Sequence, residues 1–304
     1  MKIIKGLFAI VFLLNISPIF SQNNFSIYYI SIGSTHYSKS VEDLDNCPNW
    51  MESLPSANYS ARIFVNEINR IQPKKGLLIT SQKKNVVSKS RIISEFQKFG
   101  LLIKRDSAKE KFVLIYFYGH GASNNVNQVL YLIPGNIACE GSYFYVNEMD
   151  DKAISIMSLV TMIRTHLGNV TPIILLDCCY NFRPANPEYK RMTDSVDSSF
   201  WRSPHWIGPW SRMRRWDVDL TNWPILFGSP KGGSSEPILH EDGSNNEKIG
   251  PVCNSFIKAL RKISLTTNPS LGRLIFEMKA NGINSNAFGG FNYGPNIKIS
   301  PFPR

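Results

Sequence analysis

Residues 172–180 read Pro-Ile-Ile-Leu-Leu-Asp-Cys-Cys-Tyr, and this stretch decides the predicted fold. The apolar residues 173–176 run directly into an acid and two thiols. A short apolar run of this kind is typical of a buried parallel strand. In open α/β sheets, catalytic and binding groups collect at the carboxyl ends of such strands. The stretch therefore predicts a reactive group at the end of a central strand.

A second stretch of the same design lies upstream. Residues 112–118 read Phe-Val-Leu-Ile-Tyr-Phe-Tyr and are followed by Gly119, His120 and Gly121. If both runs are strands of one sheet, the sheet can place a cysteine nucleophile beside a histidine acid/base. This pair of strand ends is the predicted functional site.

The rest of the chain alternates between strand and helix patterns. Short apolar runs predict further strands at 25–32, 77–80, 129–133 and 223–228, the third of them as a weaker strand or hairpin. Helical spacing predicts helices at 57–71, 88–99, 154–167, 254–263 and 270–280, with Ser88 as the cap of the second helix and Gly100 at its end. Residues 34–58 are predicted to be a loop. This alternation predicts an α/β fold, a three-layer sandwich with helices on both faces of a mostly parallel sheet.

The amino terminus has the features of a signal peptide. Lys2 and Lys5 precede an apolar stretch at 6–16, and a small residue, Ser21, ends a plausible cleavage region. The apolar part is short for a membrane span, although an uncleaved anchor is the alternative. We expect residues 1–21 to be removed and the mature protein to be secreted or periplasmic, with no stable membrane span.

Composition indicates one globular domain at 22–304. The 304-residue chain is 43% hydrophobic and 19% charged, which argues against global disorder. Loss of residues 1–21 would change the net charge from +11 to +9, which favours acidic partners. The five cysteines are an odd number, so at least one thiol should stay free, and Cys47, Cys139 and Cys253 are candidates for one disulfide.

A segment rich in Trp, Arg, Pro and Ser interrupts the pattern at about 181–223 and is predicted to be an insertion. Its interleaved aromatic and basic residues could grip a glycan, an anionic membrane or a nucleic acid. The alternative is that the indoles fold the loop onto the sheet while the arginines stay in water. We favour the second interpretation and predict no nucleic-acid partner, because the residues form no recognisable binding module.

No metal or cofactor is predicted from the residues. A structural zinc site would need paired cysteines and histidines at ligand spacing, and the sequence has none. The acids of the insertion do not follow the calcium-loop pattern.

The two strand-end motifs resemble those of the caspase-like cysteine peptidases, closest to the metacaspase and bacterial caspase-like branch. The family's Ser-Gly-His-Gly motif stands here as Tyr-Gly-His-Gly at 118–121, and its Asp-x-Cys motif as Asp-Cys-Cys at 177–179. Weaker similarity extends from about residue 25 to about residue 279. The resemblance implies a caspase-like fold, and it allows calcium activation, which some metacaspases need.

The same resemblance assigns catalytic roles. Cys179 would be the nucleophile that forms an acyl-enzyme, and His120 would be the general acid/base. The backbone N–H groups of Gly121 and Cys179 would form the oxyanion hole. Because adjacent strand residues face opposite sides, Cys178 is expected to pack inward as a small apolar residue.

Substrate preference is predicted from two acids. In metacaspases, the acid two residues before the nucleophile lines the S1 pocket and pairs with Arg or Lys at P1, and Asp177 matches that position. Glu236 would add a second negative charge to S1. Ser60 stands where the family often has a further S1 aspartate. The alternative for Asp177 is a strand-end carboxylate that caps nearby N–H groups.

The sequence thus predicts a secreted cysteine endopeptidase that cleaves peptide or protein substrates after Arg or Lys. The alternative is a catalytically degenerate caspase-fold protein that binds a partner without cutting it. Intact Cys179 and His120 favour the enzyme. The residues after the nucleophile favour the alternative, because residues 180–182 read Tyr-Asn-Phe where the family commonly has His-Ser-Gly.

Overall fold

The computed structural model of the protein describes residues 25–37, 54–70, 75–82, 86–123, 130–137, 139–140, 143–144, 151–178, 225–227, 237–240, 247–264 and 271–281. The predicted signal peptide at 1–21, the insertion at 181–223, Cys179 and Glu236 lie outside these residues.

The described elements alternate between strands and helices. In chain order they are β1 (Phe25–Gly33), α1 (Pro55–Asn69), β2 (Gly76–Thr80), α2 (Lys89–Lys104), β3 (Glu110–Tyr118), β4 (His120–Ser123), β5 (Leu130–Ile133), β6 (Cys139–Glu140), β7 (Tyr143–Phe144), β8 (Ile154–Ser155), α3 (Ile156–Met162), β9 (Thr171–Asp177), β10 (Ile225–Phe227), β11 (Ile238–Leu239), β12 (Lys248–Ile249), α4 (Pro251–Ser264) and α5 (Leu271–Ala280).

The centre of the fold is a parallel sheet of five strands in the order β10-β9-β3-β1-β2. All four neighbouring pairs in this sheet are parallel. The sequence prediction of a parallel central sheet is therefore confirmed. The two strands that carry the predicted site motifs, β3 and β9, are direct neighbours.

A smaller antiparallel sheet follows the end of β3, in the order β4-β5-β8. His120 is the first residue of β4 and lies opposite Ile133 of β5. The predicted strand or hairpin at 129–133 is β5. Two further antiparallel pairs, β6–β7 and β11–β12, were not predicted, because each strand has only two residues and carries no periodic signal.

Helices cover both faces of the sheet. Alternate strand residues point to opposite sides, and the central strands are apolar on both, so each face needs a covering layer. On one face, side chains such as Ile30, Ile115 and Leu176 pack with residues of α2 and α3. On the other face, side chains such as Leu114, Tyr116 and Leu175 pack with residues of α1, α4 and α5. The rings of Phe64 in α1 and Tyr116 in β3 stack at 4.8 Å between centroids. Two hydrophobic layers thus flank the sheet, as the strand–helix alternation predicted.

The ends of α2 can be compared with the predicted helix at 88–99. The Ser88 cap is confirmed, since its hydroxyl accepts a hydrogen bond from the backbone N–H of Arg91. The prediction that this helix ends at Gly100 is wrong, because α2 continues to Lys104. A Cβ at Gly100 would lie 1.9 Å from the carbonyl oxygen of His166, so the glycine permits close packing rather than ending the helix.

Two other predicted segments differ in detail. The predicted loop at 34–58 is too long, because α1 already begins at Pro55, a residue favoured in the first helical turn. The predicted helix at 154–167 is divided: its first two residues form β8, α3 follows, and residues Ile163–Leu167 form a π-helical turn. Across the described part of the chain, no helix combines the length and apolar character that a bilayer span requires.

Candidate active site

The carboxyl ends of β3 and β9 meet at one edge of the sheet. In the parallel register of these strands, Tyr118 lies opposite Asp177. Just beyond this pair, the backbone N–H of Gly119 donates to the carbonyl oxygen of Asp177 at 3.3 Å. The chain segments that lead into His120 and into Cys178 therefore leave the sheet side by side.

His120 is held at this edge by its backbone and by an aromatic neighbour. Its backbone N–H donates to the hydroxyl oxygen of Tyr37 at 2.8 Å, and the two rings are 4.6 Å apart between centroids. The residue is 8% exposed. Tyr37 was missed by the sequence analysis, because it lies in a segment without periodicity and contacts a residue 83 positions away.

The glycines on either side of His120 fit the crowded backbone. A Cβ at Gly119 would lie 2.8 Å from the ring of Phe117 and 2.9 Å from the Tyr37 hydroxyl oxygen. Gly121, the predicted oxyanion-hole residue, is buried in β4 opposite Leu132. A side chain at Gly119 would displace the segment that carries the imidazole.

Of the two adjacent cysteines, the structure describes Cys178. Cys178 is fully buried among the hydrophobic residues on the α2 and α3 face. Its predicted inward packing is confirmed. Cys179, the predicted nucleophile, is the next residue in the chain and lies outside the described residues, so its assignment stays a prediction.

Asp177, the predicted S1 acid, is 0% exposed. One carboxylate oxygen, Oδ1, accepts from the backbone N–H of Val252 at 2.9 Å. The other, Oδ2, accepts from the backbone N–H of Cys253 at 3.1 Å and from the hydroxyl of Tyr116 at 2.8 Å. This is the arrangement of the alternative interpretation, a carboxylate that caps nearby N–H groups. The S1 role of Asp177 and of Glu236 stays a prediction.

The donors to Asp177 belong to the start of α4. Val252 and Cys253 are in the first turn of this helix, whose N–H groups have no partners within the helix itself. A helix amino terminus also carries partial positive charge that favours a carboxylate. Asp177 therefore ties the end of β9 to the start of α4 across 75 sequence positions.

Ser60, which stands at the family's additional S1 position, belongs to the same buried cluster. Its hydroxyl accepts from the backbone N–H of Gly250 at 3.0 Å and donates to the carbonyl oxygen of Ser56 at 2.7 Å. The Cys253 thiol donates weakly to the carbonyl oxygen of Ser60 at 3.5 Å. The cluster thus joins α1, the end of β9 and the start of α4.

Burial in this cluster suppresses ionisation of its other titratable groups. Burial first, and then the charge of Asp177, raise the pKa of the Tyr116 hydroxyl well above its usual value of 10.0. Burial and the same charge raise the pKa of the Cys253 thiol well above 9.0. Cys253 is a free, buried thiol. Of the three candidates for a disulfide, Cys253 is therefore removed, because its thiol contacts the carbonyl oxygen of Ser60 in α1.

The described residues contain no group of three or more His, Cys, Asp or Glu side chains placed to hold a metal ion. Calcium activation, which the resemblance allows, stays a prediction, and the acids of the insertion lie outside those residues.

Comparisons with known proteins give no family. No protein-family model matches this chain, and no curated protein matches it. Among solved structures, the crystal structure of protein GSU0716 from Geobacter sulfurreducens is similar with a TM-score of 0.46 and 11% sequence identity. That match covers 83% of this chain and 88% of the other chain. A similarity of this degree supports no inference about function.

Proposed function

We propose that this protein is a caspase-like cysteine endopeptidase with a Cys179–His120 dyad, exported through its amino-terminal signal. One observation carries the proposal. The strands that lead to the two motifs are adjacent and parallel, with Tyr118 opposite Asp177 and with Gly119 hydrogen-bonded to Asp177. Residues 120 and 179 are each two positions beyond this pair. In the proposal, the three-layer α/β fold is of the caspase-like type.

The proposed reaction has two stages. The thiolate of Cys179 attacks the scissile carbonyl carbon, and backbone N–H groups of Gly121 and Cys179 bind the resulting oxyanion. The C–N bond breaks as the His120 imidazolium gives a proton to the leaving amine, which leaves a thioester on Cys179. His120 then takes a proton from water, the hydroxide attacks the thioester carbon, and the C–S bond breaks to release the acid and restore the thiolate.

The surroundings of His120 support an acid/base role. His120 is 8% exposed at the carboxyl edge of the sheet, and its ring packs against Tyr37. A largely buried imidazole in a fixed position can transfer protons without first losing a full hydration shell. Cleavage after Arg or Lys belongs to the proposal, with Glu236 as the remaining acid, since the carboxylate of Asp177 is engaged inside the fold.

The test is a panel of fluorogenic peptides with Arg, Lys, Asp or Asn at P1, with and without calcium. We expect cleavage by the wild type after Arg or Lys, and a loss of about 1,000-fold or more in kcat for Cys179→Ala and for His120→Ala. Cys178→Ala is the matched control and should keep most of the activity, because Cys178 packs in the core. Equal loss in both cysteine variants would contradict the choice of nucleophile. No wild-type turnover on any peptide would favour the alternative, a caspase-fold binding protein.

A further inference from the structure

The Asp177 side chain is buried, and described residues of the fold already occupy the space beside its carboxylate. A Cβ added to Gly250 would lie 2.1 Å from Oδ2 and 2.4 Å from Cγ of Asp177, so the main chain of Gly250 already fills that side. Two backbone amides of α4 and the Tyr116 hydroxyl donate hydrogen bonds to the same carboxylate. An arginine at P1 could reach this carboxylate only after α4 had separated from β9.

The main chain of Asp177 acts on the other half of the site. Its carbonyl oxygen accepts from the N–H of Gly119, the residue before His120. Its side chain fixes the last residue of β9, two positions before Cys179, to the start of α4. One residue thus connects the histidine segment, the cysteine strand end and a helix that packs on the sheet.

We propose that Asp177 is a positioning residue, which sets the distance between His120 and Cys179 through these bonds and does not contact the P1 side chain. The inference rests on the proposed function. It implies that any P1 charge is recognised by a different acid, for which Glu236 is the candidate. The hydroxyl of Tyr116 supports the same geometry from β3.

The decisive experiment changes each acid to its amide. Asp177→Asn and Glu236→Gln are compared with the wild type on a matched pair of peptides that carry Arg or its neutral analogue citrulline at P1. We expect Asp177→Asn to lower kcat by about 10- to 100-fold, because a small displacement of catalytic groups has effects of this size. The Arg-to-citrulline ratio of kcat/KM should stay within about twofold for that variant, whereas Glu236→Gln should lower the ratio by about tenfold or more.

A second measurement does not depend on turnover. The rate of Cys179 alkylation by iodoacetamide is followed against pH in the Cys178→Ala background, where a thiolate paired with His120 reacts below the pH expected for an isolated thiol. Asp177→Asn should move the midpoint of this profile upward by about one pH unit, since a displaced imidazole stabilises the thiolate less. If Asp177→Asn does not fold, Tyr116→Phe keeps the carboxylate and should show the same pattern with smaller changes.

With an active wild type, two outcomes would overturn the inference. A decrease of about tenfold or more in the Arg-to-citrulline ratio of kcat/KM in Asp177→Asn would show that Asp177 contacts the P1 side chain in the S1 pocket. A lower melting temperature with unchanged kcat and an unchanged alkylation profile would show that Asp177 only stabilises the fold. If the wild type cleaves no peptide, the proposed function fails, and the alkylation profile still decides: a shift in Asp177→Asn supports positioning, and an unchanged midpoint refutes it.

Discussion

Two aspartates at opposite ends of the same sheet are stabilised in different ways. Asp106 precedes β3 at the amino edge, where its carboxylate accepts from the hydroxyls of Ser26 and Tyr28 and from the ammonium of Lys75 at 3.2 Å. Asp177 ends β9 at the carboxyl edge and accepts from a tyrosine hydroxyl and two helix amides. Each acid therefore combines a tyrosine of a central strand with a different kind of positive group.

The difference lies in what must move for the bonds to break. The Asp106 side chain is 19% exposed, and the Lys75 side chain is 39% exposed, so both can exchange their partner for water. Two of the donors to Asp177 are main-chain groups of a packed helix, which cannot leave without moving α4, and the third is the buried hydroxyl of Tyr116. The amino-edge acid is thus partly exposed to water, whereas the carboxyl-edge acid is part of the core, at the sheet edge where the segment that carries His120 begins.

Replacement of each acid by alanine should give the largest difference in stability between the two sites. We expect Asp177→Ala to lower the free energy of unfolding by about 3–5 kcal/mol, because buried donors lose a charged acceptor. Asp106→Ala should lower it by about 1–2 kcal/mol, because water can replace the lost bonds. Urea unfolding monitored by circular dichroism measures both. Equal losses would show that the two carboxylates are equivalent in the fold.

Removal of the two tyrosine hydroxyls should give the same order with smaller effects. Tyr116→Phe is expected to lower the free energy of unfolding by about 1–2 kcal/mol, since an Asp177 oxygen loses a hydrogen-bond donor in a buried site. Tyr28→Phe should cost about 1 kcal/mol or less, because Ser26, Lys75 and the Ala108 amide still donate to Asp106. Melting temperatures of the two variants decide the order, and a larger effect at Tyr28 would contradict it.

The amino-edge site should make stability depend on acid pH. Burial alone would raise the pKa of Asp106, but hydrogen bonds from Tyr28, the Ala108 amide, Ser26 and Lys75 outweigh it and hold the pKa well below its ordinary value of 3.8. The resulting stabilisation is complete above the pKa of the unfolded chain, about 3.9, and is lost as the pH falls toward the lower folded pKa.

When the pH falls from about 5 to about 2, the free energy of unfolding should therefore decrease by about 1–2 kcal/mol more in the wild type than in Asp106→Asn. Urea unfolding at a series of pH values measures this difference. Glu95→Gln serves as the control, because its carboxylate pairs with Lys98 on the exposed face of α2. Parallel pH curves for wild type and Asp106→Asn would contradict the linkage.

The smallest expected effect concerns the thiol beside Asp177. Burial and the Asp177 charge raise the pKa of the Cys253 thiol, so iodoacetamide at pH 8 should leave this residue unmodified in the native protein. Cys253→Ala should cost about 1 kcal/mol, since it removes a small side chain and one weak hydrogen bond. Peptide mapping by mass spectrometry after alkylation measures the reactivity. Rapid native-state labelling of Cys253 would show that the α1–α4 contact opens readily.

The layered fold could be predicted from the sequence because its signals are local. The apolar runs at 112–118 and 172–176 have the length and composition of buried strands, and Ser88 marks a helix start. The failures came from contacts distant in sequence. Gly100 has the signature of a helix end, but packing against His166 decides its role.

The candidate site was predictable only in part. Adjacent strand ends bring His120 and Asp177 to one edge, as the two motifs indicated. The partners of the Asp177 carboxylate are 61 to 76 positions away in the chain, and no local pattern identifies them. The contact between Tyr37 and His120 could not be predicted either, because the two residues are 83 positions apart and Tyr37 lies in a segment without periodicity.

His120 lies in β4, outside the five-stranded sheet whose strand β9 ends in Asp177. The backbone of His120 pairs with β5, whereas Asp177 ends β9 and Cys178 is buried in the core beside the central sheet. Opening of the small sheet alone would carry the proton donor away from the sulfur while the central strands stayed protected from hydrogen exchange. If the proposed activity is present, we expect heat to abolish it before it unfolds the central sheet.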